Sequence, residues 1–171
     1  MCSGKTENAI QCIITESVME KILQQTVHIR VRKMYGVEVR INFRAGHRLI
    51  EPYVGKCNNV HGEGYSAICI FRTDILDKND MVLDFGIIKK KIKEWIDTNW
   101  DHAYIHSDKD EVGEYLKEKG FKTYNLGDHN PTAEYMAKYL FAAIYTFVGI
   151  KRIKKVGIVE SFEDSIAWYE V

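Results

Sequence analysis

From Val37 the chain alternates apolar and polar residues, with Val37, Val39, Ile41, Phe43 and Ala45 on one side and Glu38, Arg40, Asn42 and Arg44 on the other. Strand side chains repeat every second residue, so the segment predicts a strand with one buried face. Continuing the parity puts His47 on the apolar face, at its end. A loop over 48–60, marked by Pro52, Gly55, Asn58 and Asn59, separates it from a second strand, His61 to Thr73. There the odd positions His61, Glu63, Tyr65, Ala67, Cys69 and Phe71 share a face, so His61 and Glu63 point the same way.

Elsewhere the period changes. Thr15 to Gln25 predicts a short helix, and Val27, Ile29 and Val31 alternate with polar residues as an exposed strand that includes His28. Beyond a polar turn at Asp74 to Asp80, the residues Ile87, Ile88, Ile92, Trp95 and Ile96 form a helical stripe over Gly86 to Thr98, with Asp84 as its N-cap. A polar insert from His106 to His129 holds a short helix at Asp110 to Lys119. Asn130-Pro131-Thr132-Ala133-Glu134 opens the next helix, with Pro131 in its first turn and Met136, Leu140, Ala143, Ile144 and Phe147 as its buried stripe. Lys155 to Glu160 and Ile166 to Val171, joined by a turn at Phe162 to Ser165, close the chain as an antiparallel hairpin. The order strand, strand, helix, helix, strand, strand predicts an α+β fold.

A chain of 171 residues fits one domain better than two. With 24 basic and 24 acidic residues, no global field favours nucleic acid or an anionic membrane, so neither is expected as a partner. No apolar run reaches the roughly 20 residues of a membrane span, and the N-terminus lacks a secretion signal's apolar core, so a cytoplasmic protein is expected. Among the four cysteines no two are closely spaced. Cys2 and Cys12 read as incidental and Cys69 as a small apolar strand residue, whereas Cys57 alone sits among ionisable neighbours.

Two side chains at i and i+2 on one strand face can converge on a metal, and a histidine from the adjacent strand adds a third ligand. His61, Glu63 and His47 form such a set, with a position left open as in catalytic sites. Two histidines and a carboxylate suit zinc and equally suit non-haem iron. The plainer alternatives are a hydrogen-bonded core histidine at 47, a turn histidine at 61 and a charged strand residue at 63. Cys57, four residues before His61, is a base, a nucleophile, a fourth ligand or simply a buried thiol. Asp101-His102 pairs a carboxylate with an imidazole, a proton-exchange device when the two make contact, though adjacent residues within one strand rarely do. Glu160 ends an apolar strand, and its carboxylate can accept two parallel N–H bonds from a guanidine-like edge.

Six ordered motifs then stand together: Phe43-Arg44-Ala45-Gly46-His47-Arg48-Leu49, Cys57 through Tyr65, Met81-Val82-Leu83-Asp84-Phe85, Asp101-His102, Asn130 through Glu134, and Val159-Glu160-Ser161. In them the chain resembles the 6-pyruvoyl-tetrahydropterin synthase and 6-carboxytetrahydropterin synthase family, over roughly residues 37–171. The resemblance implies a tunnelling fold (T-fold): a ββααββ subunit with an antiparallel sheet and two helices on one face. Residues 36–171 would form that single domain and 1–35 an N-terminal extension. It also implies a homohexamer, a dimer of trimers with active sites at subunit interfaces.

The implied reaction is metal-dependent lyase chemistry on 7,8-dihydroneopterin triphosphate. Carried over by motif, the zinc ligands are His47, His61 and position 63, the catalytic residues Cys57, Asp101 and His102, and the substrate-binding residues Glu160 and Thr132, the last of which can equally be a helix cap. The family has histidine where this chain has Glu63, which opens altered metal, altered substrate or lost activity. Three residues between Cys57 and His61 resemble the 6-carboxytetrahydropterin branch, which serves deazapurine (queuosine) synthesis. The alternatives are 6-pyruvoyl-tetrahydropterin synthase activity and a non-catalytic pterin-binding paralogue.

Overall fold

The structure, a computed structural model, describes residues 34–161 and 165–171. The helix expected at Thr15 to Gln25, the strand at Val27 to Val31, Cys2, Cys12, the centre of the turn at 162–164 and the side chain of Phe147 lie outside the described residues.

Strand β1 (Tyr35–His47) and strand β2 (His61–Thr73) form an antiparallel ladder in unbroken register from Tyr35 opposite Thr73 to His47 opposite His61. The alternation in the sequence is realised as burial: Val39, Ile41, Phe43, Ala45 and His47 face inward, and so do Tyr65, Ala67, Cys69 and Phe71 from β2. Helix α1 (Phe85–Asn99) is capped by Asp84, whose carboxylate accepts from the Ile87 amide at 3.0 Å. It buries Ile88, Ile92 and Ile96, one residue per turn of the helix, while Ile87, expected in this stripe, is 58 % exposed. The reason is angular, since Ile87 lies about 100° around the helix from Ile88, off the narrow seam that faces the sheet.

Strand β3 (Ala103–His106), helix α2 (Glu111–Glu118) and strand β4 (Thr123–Asn125) follow. Helix α3 (Ala133–Ala143) runs on into a wider turn over Ile144–Val148, and strands β5 (Ile153–Glu160) and β6 (Ile166–Glu170) form the closing hairpin. The sheet order is β4-β3-β1-β2-β5-β6. Four strands are antiparallel neighbours as expected, but β3 and β4 join in parallel, β3 against β1 and β4 against β3. The polar insert is therefore structured: its expected short helix forms as α2, a third helix beside the two implied by the resemblance, and it adds the edge strand β4.

What ties the insert down is a polar cluster. Asp110, 1 % exposed, caps α2 and accepts from the Val112 amide at 3.1 Å, from Arg48 Nε at 2.8 Å and from the Tyr104 hydroxyl at 2.9 Å. Burying a carboxylate requires such satisfaction of its lone pairs. Arg48 directly follows His47, so the insert is anchored next to the predicted metal site.

Candidate active site

The end of the β1–β2 ladder brings two imidazoles together, their planes tilted by 49°. His47 and His61 are cross-strand partners, with ring centroids 4.5 Å apart. His47 Nδ1 lies 3.0 Å from the Pro131 carbonyl oxygen, and His61 Nδ1 lies 2.8 Å from that of Asn59. A carbonyl only accepts, so in the neutral ring Nδ1 donates the proton and Nε2 keeps its lone pair. Burial holds His47 below the ordinary histidine range, reinforced by His61 and opposed by the Pro131 hydrogen bond and Glu63, which favours the neutral ring. Its Nε2 is buried and, among the described residues, has no hydrogen-bond partner. Such an orphaned lone pair fits a metal ligand better than a satisfied core histidine.

Glu63 projects beside them, with Oε1 3.9 Å from His61 Nε2, while Ser161 Oγ donates to its Oε2. Among the described residues, no group of three His, Cys, Asp or Glu is already gathered around a point that could hold a metal ion. The three would draw together around one, and the local charge favours that. Burial raises the Glu160 carboxyl above the usual carboxylate range; Glu63 and Glu134 push it further, while His61 and Tyr65 oppose them. A divalent cation beside Glu63 would relieve this crowding of carboxylates. The donor set and the orphaned Nε2 thus fit the group.

A cleft of about 380 Å³ is lined by His47, Tyr53, Cys57, Thr132, Glu134 and Glu160, among others. Cys57 sits in a single 3-10 turn, Lys56–Asn58, and its carbonyl accepts the Leu49 amide at 2.8 Å, which closes the base of the 48–60 loop. Contact with the Cys57 side chain is the main cause that raises the Tyr53 phenol. Tyr53 reaches this position over Gly55, where any Cβ would come within 2.5 Å of the phenol oxygen.

The Asn130-to-Glu134 motif acquires a residue-by-residue meaning. Asn130 clamps the loop through both backbone groups of Ile50, accepting from its amide and donating to its carbonyl at 2.8 Å each. Pro131 offers its carbonyl to His47. Thr132 is the N-cap of α3, accepting from the Tyr135 amide at 3.3 Å, and it also borders the cleft. Pro131 therefore precedes the cap instead of lying in the first turn, and its position is explained by the carbonyl it presents. Sequence reasoning did not single out Asn130 for this clamp; its one signal was a side-chain amide placed before a proline.

Asp101 and His102 do make contact, His102 Nδ1 to Asp101 Oδ2 at 2.9 Å. Adjacent residues in a strand could not, but these two lie in a turn where His102 adopts φ 58°, the left-handed region. Burial alone would raise Asp101, yet hydrogen bonds from the Arg44 amide and from His102 hold its carboxyl below the usual range. His102 opens on a second cleft, of about 540 Å³, bordered also by Arg44, Gly46, Gly62, Glu63 and Lys122. Within one chain, then, His47, His61 and Glu63 stand together, and Cys57, Thr132 and Glu160 share the first cleft with His47. Asp101 and His102 do not line it. Tyr65 was missed as a site neighbour: its buried hydroxyl has no full hydrogen bond among the described residues, and it sits across the ladder from Glu160.

A family model described as 6-pyruvoyl tetrahydropterin synthase matches residues 36–171. The chain is 37% identical over 134 residues to the 6-carboxy-5,6,7,8-tetrahydropterin synthase of Rickettsia conorii, covering 77% of this chain and 96% of that one. It is 42% identical over 114 residues to the protein of the same name in Rickettsia felis, covering 64% and 81%. Among solved structures, the 6-pyruvoyl tetrahydropterin synthase of Caenorhabditis elegans superposes with a TM-score of 0.61 at 24% identity, covering 81% of this chain and 96% of that one. That of Plasmodium vivax gives 0.59 at 16%, covering 81% and 99%. At such identities the likeness shows the fold alone, and the fold is the expected α+β tunnelling fold. With the family model matched from residue 36 to residue 171, the chain belongs to the 6-pyruvoyl tetrahydropterin synthase family.

Proposed function

We infer that this protein is a lyase that converts 7,8-dihydroneopterin triphosphate to a 6-substituted tetrahydropterin, in the manner of a 6-carboxytetrahydropterin synthase. The observation that carries the reading is the meeting of His47, Cys57 and Glu160 around one cleft, a metal-type imidazole, a thiol and an anchoring carboxylate within reach of a single ligand. The Rickettsia relatives bear that name, and the three residues between Cys57 and His61 fit the same branch.

His47, His61 and Glu63 would hold a divalent cation, zinc or ferrous iron. When bound, it supplies Lewis acidity to the substrate's side-chain hydroxyls and offsets negative charge that develops there. Glu160 accepts paired N–H bonds from the guanidine-like edge of the pterin ring. Thr132, at the mouth of the cleft, adds a contact to the substrate while it caps α3. Cys57 takes or returns a proton on the side chain to be cleaved, and His102, with Nδ1 tied to Asp101, exchanges protons through Nε2.

Because His102, held by Asp101, borders a different cleft from Cys57, the reading has neighbouring copies complete one another's sites, in a homohexamer built as a dimer of trimers. The setting is cytoplasmic, and the product feeds queuosine-type deazapurine synthesis. Among the described residues no helix is long and apolar enough to cross a membrane.

The test is to incubate purified protein with 7,8-dihydroneopterin triphosphate and either zinc or ferrous iron, then identify the products by mass. A 6-carboxy product is expected, and a 6-pyruvoyl product would move the protein to the other branch. Glu63 in place of histidine favours a second reading, a pterin-binding protein without the chemistry. Unchanged substrate with every metal, alongside retained pterin binding, would select it.

A further inference from the structure

A glutamate in a metal position has more rotatable bonds than the histidine it replaces, so it loses more side-chain freedom when it is fixed. Glu63 lies two residues beyond Tyr65, which faces Glu160 in the last described pair of the β2–β5 ladder. β1 pairs the Glu63 backbone opposite Ala45, but no described ladder partner on the β5 side fixes its carboxylate. Ser161 does. It follows Glu160 at the end of β5 with φ 53°, a left-handed conformation uncommon for a residue with a Cβ, and its Oγ donates to Glu63 Oε2. That hydrogen bond occupies one carboxylate oxygen and leaves Oε1 on the His61 side, 3.9 Å from Nε2. The backbone strain at Ser161 persists where its surroundings over-determine it, and the bond to Glu63 is the contact that it secures.

We propose that Ser161 is a positioning residue that fixes Glu63 for one-oxygen ligation of the divalent metal, so that the Ser161–Glu63 pair fills the third metal position. The proposal rests on the reading of His47, His61 and Glu63 as the metal site. A hydrogen-bond donor behind a ligating carboxylate orients it and tunes its basicity, and loss of such a partner weakens metal binding by roughly 10- to 100-fold. Ser161 is exposed, so its replacement leaves the core intact.

The experiment titrates the full-length protein with cobalt(II), following the visible ligand-field spectrum, and measures affinity by competition with a chelator. Ser161→Gly is the informative variant: glycine suits the left-handed backbone, so only the hydroxyl is lost. Expected are an unchanged stoichiometry, an affinity roughly 10- to 100-fold weaker and an altered spectrum. Ser161→Asn, which tolerates the same backbone and restores a donor, should recover part of both. Glu63→Ala should lose more affinity than Ser161→Gly. Wild-type affinity and spectrum in Ser161→Gly, with binding lost in Glu63→Ala, would overturn the role of Ser161 and leave the metal site standing. No cobalt binding by the wild type, or wild-type binding by Glu63→Ala, would overturn the metal reading and the proposal with it.

Discussion

His47 and His61 face each other across the last pair of the β1–β2 ladder, 4.5 Å between ring centroids, and each commits Nδ1 to a backbone carbonyl. Two imidazoles so oriented present two Nε2 lone pairs to the same region, and a metal ion that binds only the folded protein stabilises it by mass action. Stripping the protein with a chelator should lower its melting temperature, and zinc or ferrous iron at a hundred times its Kd should restore about 2.7 kcal/mol. In His47→Gln that metal-dependent shift should vanish. Melting curves with and without metal check it, and an equal shift in the variant would contradict the assignment.

Cys57 is held in a short turn at the edge of the cleft, away from the β1–β2 ladder, so its removal disturbs no core contact. Cys57→Ala is expected to abolish turnover while pterin affinity stays within about 1 kcal/mol, the size of a lost contact without a lost charge. Product analysis and a fluorescence titration with a pterin separate the two quantities. Full activity in Cys57→Ala would remove the thiol from the mechanism.

Asn130 makes two hydrogen bonds to Ile50, one to each backbone group, and in Asn130→Ala both are left without a protein partner. Each part-buried group deprived of its partner costs about 1–3 kcal/mol. Together they should lower the unfolding free energy by about 2–6 kcal/mol, read from a lower denaturation midpoint. Because the clamp holds the loop that carries Cys57, the Ile50 amide should also exchange with solvent faster. Unchanged exchange at Ile50 would mean that the loop is held elsewhere.

The paired strands and the main helices are readable from the chain because each commits its apolar residues to one period. The boundaries of β2 were legible in full, as were the cap at Asp84 and the short helix that begins at Asp110. Strands β3 and β4 were not, since four and three residues are too few to establish an alternation and β3 is buried at every position. Asp101 beside His102 is a weak signal taken alone, because adjacent residues within one strand rarely make contact; a positive φ supplies that contact, and periodicity does not reveal a single residue's φ. The pairing of His47 with His61 follows from parity. The Ser161 contact with Glu63 bridges 98 positions in sequence and depends on the course of β5, which local patterns do not specify.

Asp110 is 1 % exposed and anchors Arg48, Tyr104 and its own helix. Removing one partner of a buried pair costs about 3–5 kcal/mol, and because the Arg48 side chain is 23% exposed and can turn to solvent, Asp110→Ala should fall at the low end. Chemical denaturation checks the magnitude. Since Arg48 adjoins His47, metal affinity should fall as well. A stable variant with unaltered metal binding would separate the insert from the site.

Glu160 gives the protein a pH dependence whose sign can be worked out. Burial, Glu63 and Glu134 raise its carboxyl in the folded state above its unfolded value, so the native protein binds this proton more tightly than the unfolded chain does. Between the two pKa values the native state holds more protons, and stability therefore falls as pH rises through that window. The strain is complete at neutral pH, where the carboxylate is charged among other carboxylates. In the metal-free protein, Glu160→Gln should melt higher than wild type at neutral pH and lose that advantage as the pH falls below the ordinary glutamate range. The same variant should bind pterins far more weakly, because an amide turns one of the two acceptor atoms into a donor and so cannot accept two parallel N–H bonds from a guanidine-like edge. Higher stability with weaker ligand binding is the mark of a carboxylate retained for binding at the expense of the fold, and a Glu160→Gln protein less stable at neutral pH would show that the carboxylate is structural instead.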